Sequence, residues 1–197
     1  MGYGSPYFMD LRYLQKKAEE DSIGIIEKVG REYQTLLGSS HVGLLESHRC
    51  EDAEMILITM GIVYPSVRFV VNALREKGVR IGCLKLRVFR PFPAEALIKA
   101  VKDAKLLITI DRNSVAALYK EIRGALYSLI GNGPKAESPL VMGKVMGIGG
   151  TAISLDHIGQ AVEEGLAALQ DGFVKKELEW FPLQGIQFDP TRDTIAE

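Results

Sequence analysis

The chain has few of the residues that bind metals and clusters. It contains two cysteines, Cys50 and Cys83, and three histidines in 197 residues. An iron–sulfur cluster needs about four thiolates, and neither cysteine has a CxxC partner. His41, His48 and His157 are scattered, without an HxxxH spacing. We therefore predict no metal site and no cofactor bound by this chain itself.

Charge imbalance and long apolar segments are also lacking. The net charge is −1, which offers no electrostatic basis for binding nucleic acid or a membrane surface. The apolar runs are strand-length, well short of the roughly 20 residues that cross a bilayer. The N-terminus lacks the basic region and apolar segment of a signal peptide. We expect a cytoplasmic protein with neither nucleic-acid nor membrane partners.

Catalytic signatures are missing as well. The sequence contains no GxSxG motif, no P-loop and no pair of carboxylates with a plausible catalytic geometry. It holds no complete active site, and we predict that the isolated chain is inactive.

Residues 51–113 carry the clearest pattern of secondary structure. Strands are predicted at 55–60, 80–89 and 106–110, with helices between Pro65 and Gly78 and over 94–102. The apolar residues of each helix recur at helical spacing. Strands separated by helices require crossover connections, and therefore a largely parallel sheet with helices on its faces.

The flanking regions are less regular. A helix is predicted at 11–37 with Asp10 as its N-cap and a break at Ser22-Ile23-Gly24, an edge strand at 42–48, a helix at 120–130, a strand at 140–148, and a helix from Ser154 to 169. The apolar side of the first helix comprises Leu11, Leu14, Ala18, Ile25, Ile26, Val29, Tyr33 and Leu36. The end of the chain is rich in aromatic residues but shows no period.

Three segments, EDAEMILITMG, REKGVRIGCLKLRVFRPFPAEAL and ITIDRN, resemble the second domain of the alpha chain of pyruvate:ferredoxin and related 2-oxoacid:ferredoxin oxidoreductases. The resemblance is close over 51–113 and looser to about residue 169. It implies the fold of the transketolase C-terminal domain, a three-layer α/β/α domain with a five-stranded, mostly parallel mixed sheet in the order 1-3-2-4-5. We divide the chain into a helical arm (1–41), this domain (42–172) and an extended aromatic tail (173–197).

The resemblance also implies a function. Such enzymes oxidatively decarboxylate a 2-oxoacid, here predicted to be pyruvate, with thiamine diphosphate, Mg and iron–sulfur clusters on other domains or chains. This chain would then be a non-catalytic part serving assembly and the shape of the active centre. Its partners would be the other oxidoreductase subunits or domains, and a homo-oligomer is a further candidate.

Two departures from the family pattern leave alternatives open. The family commonly has GLGGRD where this chain has GIGGTA, and the Gly-containing loop after DRN is shortened. The chain could therefore be a stand-alone module that binds a small anion or a nucleotide. It could also be a relative that serves only in assembly.

A ligand crevice is expected where the strand order reverses. It would be lined by Gly61, Ile62, Asp111, Arg112, Asn113 and Arg90, with a turn containing Gly149 and Gly150 beside it. The two arginines could hold an anion or form an ion-pair network with Asp111. Alternatively, Asp111 caps the next turn and the arginines fix loops or a subunit contact, and the glycines form a plain tight turn.

Two further groups are candidates for an interface. Lys85 and Arg87 share one face of their strand, where two cations are costly unless they are paired. Ion pairing or a subunit contact is favoured over catalysis for both. In the aromatic tail, Trp180, Phe181 and Phe188 would pack along a partner or along the flank of the domain itself.

Overall fold

The computed structural model describes residues 7–38, 43–130 and 138–181, and a six-stranded sheet lies at its centre. Its strands are β1 (Leu45–His48), β2 (Met55–Met60), β3 (Ile81–Leu86), β4 (Leu106–Asp111), β5 (Leu140–Val145) and β6 (Leu178–Trp180). The sheet order is β1-β3-β2-β4-β5-β6. Strand β1 runs antiparallel to β3, and all the other neighbours are parallel. The mostly parallel mixed sheet and the order of its first five strands are confirmed.

The predicted count of five strands is wrong. Strand β6 pairs parallel with β5, placing Leu178 beside Gly143 and Trp180 beside Val145. The sheet therefore continues into the range that the sequence assigns to an extended tail. A strand of three residues is too short to show the alternation of buried and exposed side chains that marks a strand in a sequence. Only the pairing of β6 with β5 in the structure reveals it.

Helices cover both faces of the sheet. They are α2 (Tyr64–Glu76), α3 (Ala94–Val101), α4 (Ala117–Ile130) and α5 (Leu155–Asp171). Helices α2 and α5 pack on one face, and α3 and α4 on the other. Strands β2, β3 and β4 are almost wholly buried, which explains why they read as continuous apolar runs rather than alternating ones. The three-layer α/β/α class is confirmed.

The first helix, α1 (Phe8–Leu37), is continuous through the predicted break. The hydroxyl of Ser22 donates to the carbonyl of Glu19 at 2.6 Å, so this serine is accommodated within the helix. The helix begins at Phe8, and Asp10 lies in its first turn rather than at the N-cap. It ends at Leu37 and is capped by Gly38, whose φ of 68° suits a residue without a side chain. No α1 residue is buried.

Other element ends differ from the prediction by a few residues. Strand β3 stops at Leu86 rather than at 89, and β5 stops at Val145 rather than at 148. Helix α4 begins at Ala117 rather than at 120, because Asp111 supplies an N-terminal hydrogen bond that the local sequence does not reveal. None of the described helices is long and apolar enough to cross a membrane.

Candidate functional site

The strand order reverses between β2 and β4, and a cleft of about 770 Å³ opens at the carboxyl ends of β2, β3 and β4. This volume lies within the range of roughly 300–1,000 Å³ typical of small-molecule sites. Its walls are largely apolar, formed by Met60, Ile62, Leu86, Phe89, Ile110 and Leu118. Its polar side chains come from Lys85, Arg87, Asp111, Arg112 and Asn113.

Most residues predicted for the crevice line this cleft. Gly61, Asp111, Arg112 and Asn113 do so, as do the two cations that the sequence assigned to pairing or an interface. Arg90 does not. Its guanidinium lies 2.5 Å from Glu121 and 4.4 Å from the centre of the Phe89 ring.

The predicted glycine turn lies outside the cleft. Gly149 and Gly150 belong to an exposed 3₁₀ turn, Ile148–Gly150, between β5 and α5. The N-terminus of α5 is already capped, since Ser154 Oγ accepts from the N–H of His157 and His157 Nδ1 accepts from the N–H of Ser154. This reciprocal cap uses two of the N–H groups that would otherwise face an anion.

The carboxylate of Asp111 organises the chain after β4. Its two oxygens accept hydrogen bonds from the backbone N–H of Asn113 at 3.0 Å and of Leu118 at 2.8 Å. Burial raises the pKa of Asp111, and these two N–H groups oppose that rise. Asp111 is therefore placed to start α4, as one of the two alternatives expects.

Arg112 and Arg90 are bound to separate partners. Arg112 donates from Nε and Nη2 to the carbonyl of Gly147, both at 3.1 Å, and so joins the end of β4 to the loop after β5. Within the described residues, the three-residue network of Asp111, Arg112 and Arg90 does not form. The arginines fix loops inside the chain instead.

Lys85 and Arg87 differ in their surroundings. Arg87 Nη2 lies 2.8 Å from a carboxylate oxygen of Glu46 on β1. Burial opposes ionisation of Glu46, but the hydrogen bond and charge of Arg87 outweigh it, and the pKa of Glu46 lies below its ordinary value. The ammonium of Lys85 lies 5.4 Å from the centre of the buried Tyr64 ring. Lys85 makes no ion pair with any residue that the structure describes.

A second polar cluster, which the sequence reasoning missed, lies beneath β6. Lys144 on β5 is fully buried and contacts the carboxylates of Glu164 on α5 and Glu179 on β6. Its ammonium also lies 5.0 Å from the centre of the Phe181 ring. The sequence did contain a signal for this cluster. Lys144 lies between Met142 and Met146 on a helix-covered face of its strand, where a cation is costly unless a carboxylate pairs with it.

The aromatic interface candidates separate into three cases. Phe181 packs on the domain's own flank, edge-on to His157 at 6.2 Å, and its N–H donates to Val145. Trp180 keeps 44% of its surface exposed. Phe188 lies outside the described residues. Trp180 thus remains a candidate contact, and Phe181 contributes to the core.

The cysteines have the character of core residues. Both are buried, and burial raises the pKa of Cys50 to about 11 and that of Cys83 to about 12. They lie in the cores on opposite faces of the sheet. Two thiols, of which that of Cys50 donates to the carbonyl of Cys83 at 3.3 Å, are too few to hold an iron–sulfur cluster. Among the described residues, no three His, Cys, Asp or Glu side chains are grouped to hold a metal.

Known proteins share both sequence and fold with this chain. Pyruvate synthase subunit PorA of Methanothermobacter thermautotrophicus is 41% identical over 79% of this chain and 39% of its own length. Ketoisovalerate oxidoreductase subunit VorA of Pyrococcus horikoshii is 29% identical over 90% of this chain and 44% of its own length. The chain thus spans about two fifths of the length of these curated relatives.

A solved structure shares the fold at low identity. It is the 2-oxoglutarate:ferredoxin oxidoreductase from Magnetococcus marinus, with a TM-score of 0.55 and 18% identity over 82% of this chain and 24% of that one. The family described as pyruvate:ferredoxin oxidoreductase core domain II matches residues 53–158, which include β2 to β5, the cleft and Lys144. The chain belongs to this family.

Proposed function

We propose that this chain is a non-catalytic domain or subunit of a cytoplasmic, thiamine-diphosphate-dependent 2-oxoacid:ferredoxin oxidoreductase whose substrate is pyruvate. The family match over residues 53–158 carries the proposal. Pyruvate is favoured because the relative at 41% identity is named a pyruvate synthase subunit, whereas a ketoisovalerate oxidoreductase subunit matches at 29%.

The cofactors of the proposed enzyme are supplied by other domains or chains. Thiamine diphosphate, with Mg, stabilises the carbanion that decarboxylation generates, and iron–sulfur clusters carry electrons onward. The two buried thiols of this chain are too few for cluster ligands, and Asp111 and Arg112 of the cleft are engaged in holding the backbone after β4 and β5. This chain serves assembly and the shape of the active centre.

Reconstitution tests this role. The chain alone, supplied with thiamine diphosphate, Mg, coenzyme A and pyruvate, is expected to reduce no ferredoxin. The chain produced together with its partner subunits is expected to give pyruvate-dependent ferredoxin reduction. Turnover by the isolated chain would contradict the non-catalytic role, and a preference of the complex for another 2-oxoacid would contradict the choice of pyruvate.

An assembly role can be examined at Trp180, the exposed aromatic of β6. Trp180→Glu is expected to weaken recovery of the partner subunits, because a charge replaces an apolar contact surface. Phe69→Glu on α2 is the matched control, since Phe69 is 62% exposed and α2 packs against β3 and β2, away from β6 in the sheet order. Equal recovery with both variants would remove Trp180 from the interface.

A second candidate function is binding of a small anion in the cleft. It is favoured by Lys85, a cation of the cleft that makes no ion pair with a described carboxylate, although its charge helps to lower the pKa of Glu46 across the sheet. Inorganic phosphate or pyruvate is expected to raise the thermal stability in proportion to ln(1 + [L]/Kd). Lys85→Met should abolish this rise, whereas Lys99→Met on the exposed side of α3 should preserve it. A rise that survives Lys85→Met would exclude this site.

A further inference from the structure

Helix α1 exposes an apolar stripe along its whole length. The stripe residues recur at intervals of three, four and four, and they are Leu11, Leu14, Ala18, Ser22, Ile25, Val29, Tyr33 and Leu36. An eleven-residue repeat corresponds to about 3.67 residues per turn, close to the helical value of 3.6. The stripe therefore runs nearly straight along a helix of ~45 Å.

The side chains of this stripe are exposed in the part of the chain that the structure describes. Leu11 and Ile25 are each 61% exposed, and Leu36 is 81% exposed. Seven of the eight stripe residues are exposed, and the eighth, Ser22, is half-buried. A helix with a continuous apolar stripe ordinarily packs that stripe against another element. The exposed stripe of α1 is therefore a candidate contact surface.

The charges along one side of the stripe indicate the partner. Asp10, Lys17, Asp21 and Lys28 follow one another on this flank at helical spacing, with signs that alternate. Read from Lys28 back to Asp10, the same four residues give a base wherever the forward order gives an acid, and an acid wherever it gives a base. An antiparallel second copy would therefore set each acid opposite a base. Asp10, Lys17 and Asp21 have no ion-pair partner among the described residues. Lys28 lies 3.9 Å from Glu32 of its own helix, an exposed contact that it can exchange for one with Asp10 of the second copy.

The same alignment matches the apolar residues. An alignment centred between residues 19 and 20 sets Leu14 directly opposite Ile25. It also brings Asp10 to the level of Lys28, Lys17 to that of Asp21 and Leu11 to that of Val29, each within one residue. The small Ala18 and Ser22 then face each other near the centre, where they allow close approach of the two helices. Each of these contacts occurs twice, as a two-fold axis requires.

We propose that α1 is the surface on which two copies of this chain pair as antiparallel helices in this alignment. The axial ends of the pair are then occupied by the two α/β domains, one at each end, because each domain follows the C-terminus of its own helix. Charges on the far side of α1 do not take part. There Lys16 pairs with Glu20 at 3.3 Å and Arg31 with Glu27 at 4.0 Å within the helix.

One feature of the opposite flank weakens the pair. Glu19 lies there close to the two-fold axis, so the two copies of Glu19 approach each other. Because like charges repel, Glu19→Gln is expected to tighten dimerisation by about threefold. This gain of affinity distinguishes the proposed alignment from a nonspecific apolar association.

The first experiment is sedimentation equilibrium of the chain as it is. A concentration-dependent dimer is expected, and a monomer throughout the high micromolar range overturns the proposal, as would a larger open-ended aggregate. Ile25→Glu, on the stripe, is expected to abolish the dimer. Met9→Glu is the matched control, since Met9 is 78% exposed on the far side of the same helix. The proposal would also be overturned if Ile25→Glu and Met9→Glu weakened the dimer equally.

Charge exchange tests the alignment. Asp10→Lys is expected to weaken the dimer about tenfold, because two attractive contacts become repulsive. Adding Lys28→Glu should restore most of the affinity. The far-side exchange Lys16→Glu with Glu20→Lys should change nothing. If the second change fails to rescue the first while circular dichroism shows an intact helix, the alignment is wrong.

Cysteine cross-linking tests the orientation. A mixture of Ala18→Cys and Ser22→Cys chains is expected to form mainly the mixed disulfide, since these positions face each other across the antiparallel pair. A parallel pair would give mainly the two homodimers, and that result would contradict the proposal. The native cysteines are buried. Dimerisation does not depend on the proposed oxidoreductase role, and either can fail without the other.

Discussion

The ammonium of Lys144 lies 2.6 Å from the carboxylate of Glu179, so a fully buried cation on β5 holds the edge strand β6. A second carboxylate, from Glu164 on α5, lies 2.5 Å from the same ammonium. One side chain thus connects two strands and a helix. Removing a buried charge from its partners costs far more than breaking a surface pair, which makes Lys144 the most sensitive polar residue of this edge.

Lys144→Ala is expected to lower the free energy of unfolding by about 3 kcal/mol, because Glu164 and Glu179 lose the buried cation that they share and a packed stem is removed. Lys144→Met keeps most of the stem and should cost less. Lys175→Ala is the control, since Lys175 is exposed and pairs with Asp171 on the surface. Urea unfolding measures all three. A Lys144→Ala variant as stable as the control would refute the buried pairing.

Acid is expected to release β6. Hydrogen bonds from Lys144 and then Lys176 hold the pKa of Glu179 below its ordinary value of 4.5. At a pH between the folded and the unfolded pKa of Glu179, the unfolded chain binds more protons than the folded one. The contribution of Glu179 to the free energy of unfolding is therefore fully present above about pH 4.5 and is lost as the pH falls through the folded pKa.

The fluorescence of Trp180, the single tryptophan, reports this release because it lies in β6. Glu179→Gln should remove this part of the pH dependence, while other carboxylates with lowered pKa values, such as Glu46, continue to contribute. An unchanged pH profile in Glu179→Gln would show that β6 is held by other contacts.

Two glycines of α5 are expected to respond oppositely to alanine. A Cβ at Gly165 would lie 2.7 Å from Ile108 and 3.0 Å from Met55, whereas one at Gly159 would meet nothing within 4 Å. Gly159→Ala should stabilise the protein by about 0.5–1 kcal/mol, and Gly165→Ala should destabilise it by about 1–2 kcal/mol. Urea midpoints decide the matter. Equal stabilisation by both would mean that α5 does not pack closely on β4.

Asp111→Ala is expected to destabilise the protein by about 2 kcal/mol, because the N–H groups of Asn113 and Leu118 both lose their acceptor. Asp111→Asn keeps one acceptor oxygen and should cost less. Asp103→Ala is the control, because Asp103 is exposed and, among the described residues, pairs only with its neighbour Lys102. A negligible effect of Asp111→Ala on thermal unfolding would exclude the capping role.

The sequence predicts most of the fold because its information is local. The continuous apolar runs of β2, β3 and β4 reflect burial on both faces, and the helical apolar spacing of α2 and α3 reflects burial on one face. Each of these patterns can be read within about a dozen residues. The cleft follows from strand order, which the family resemblance implied. Gly61, Asp111, Arg112 and Asn113 were placed there because they follow the carboxyl ends of β2 and β4.

The sequence by itself therefore determined the order of the elements, the layered class and the edge at which the cleft opens. Only the tertiary structure decided which partners the polar side chains take. Arg112 with Gly147, Arg90 with Glu121 and Lys144 with Glu179 each join residues more than thirty positions apart. Such contacts leave no period in the sequence, because they depend on which elements the folded sheet brings side by side. The addition of β6 was hidden for the same reason.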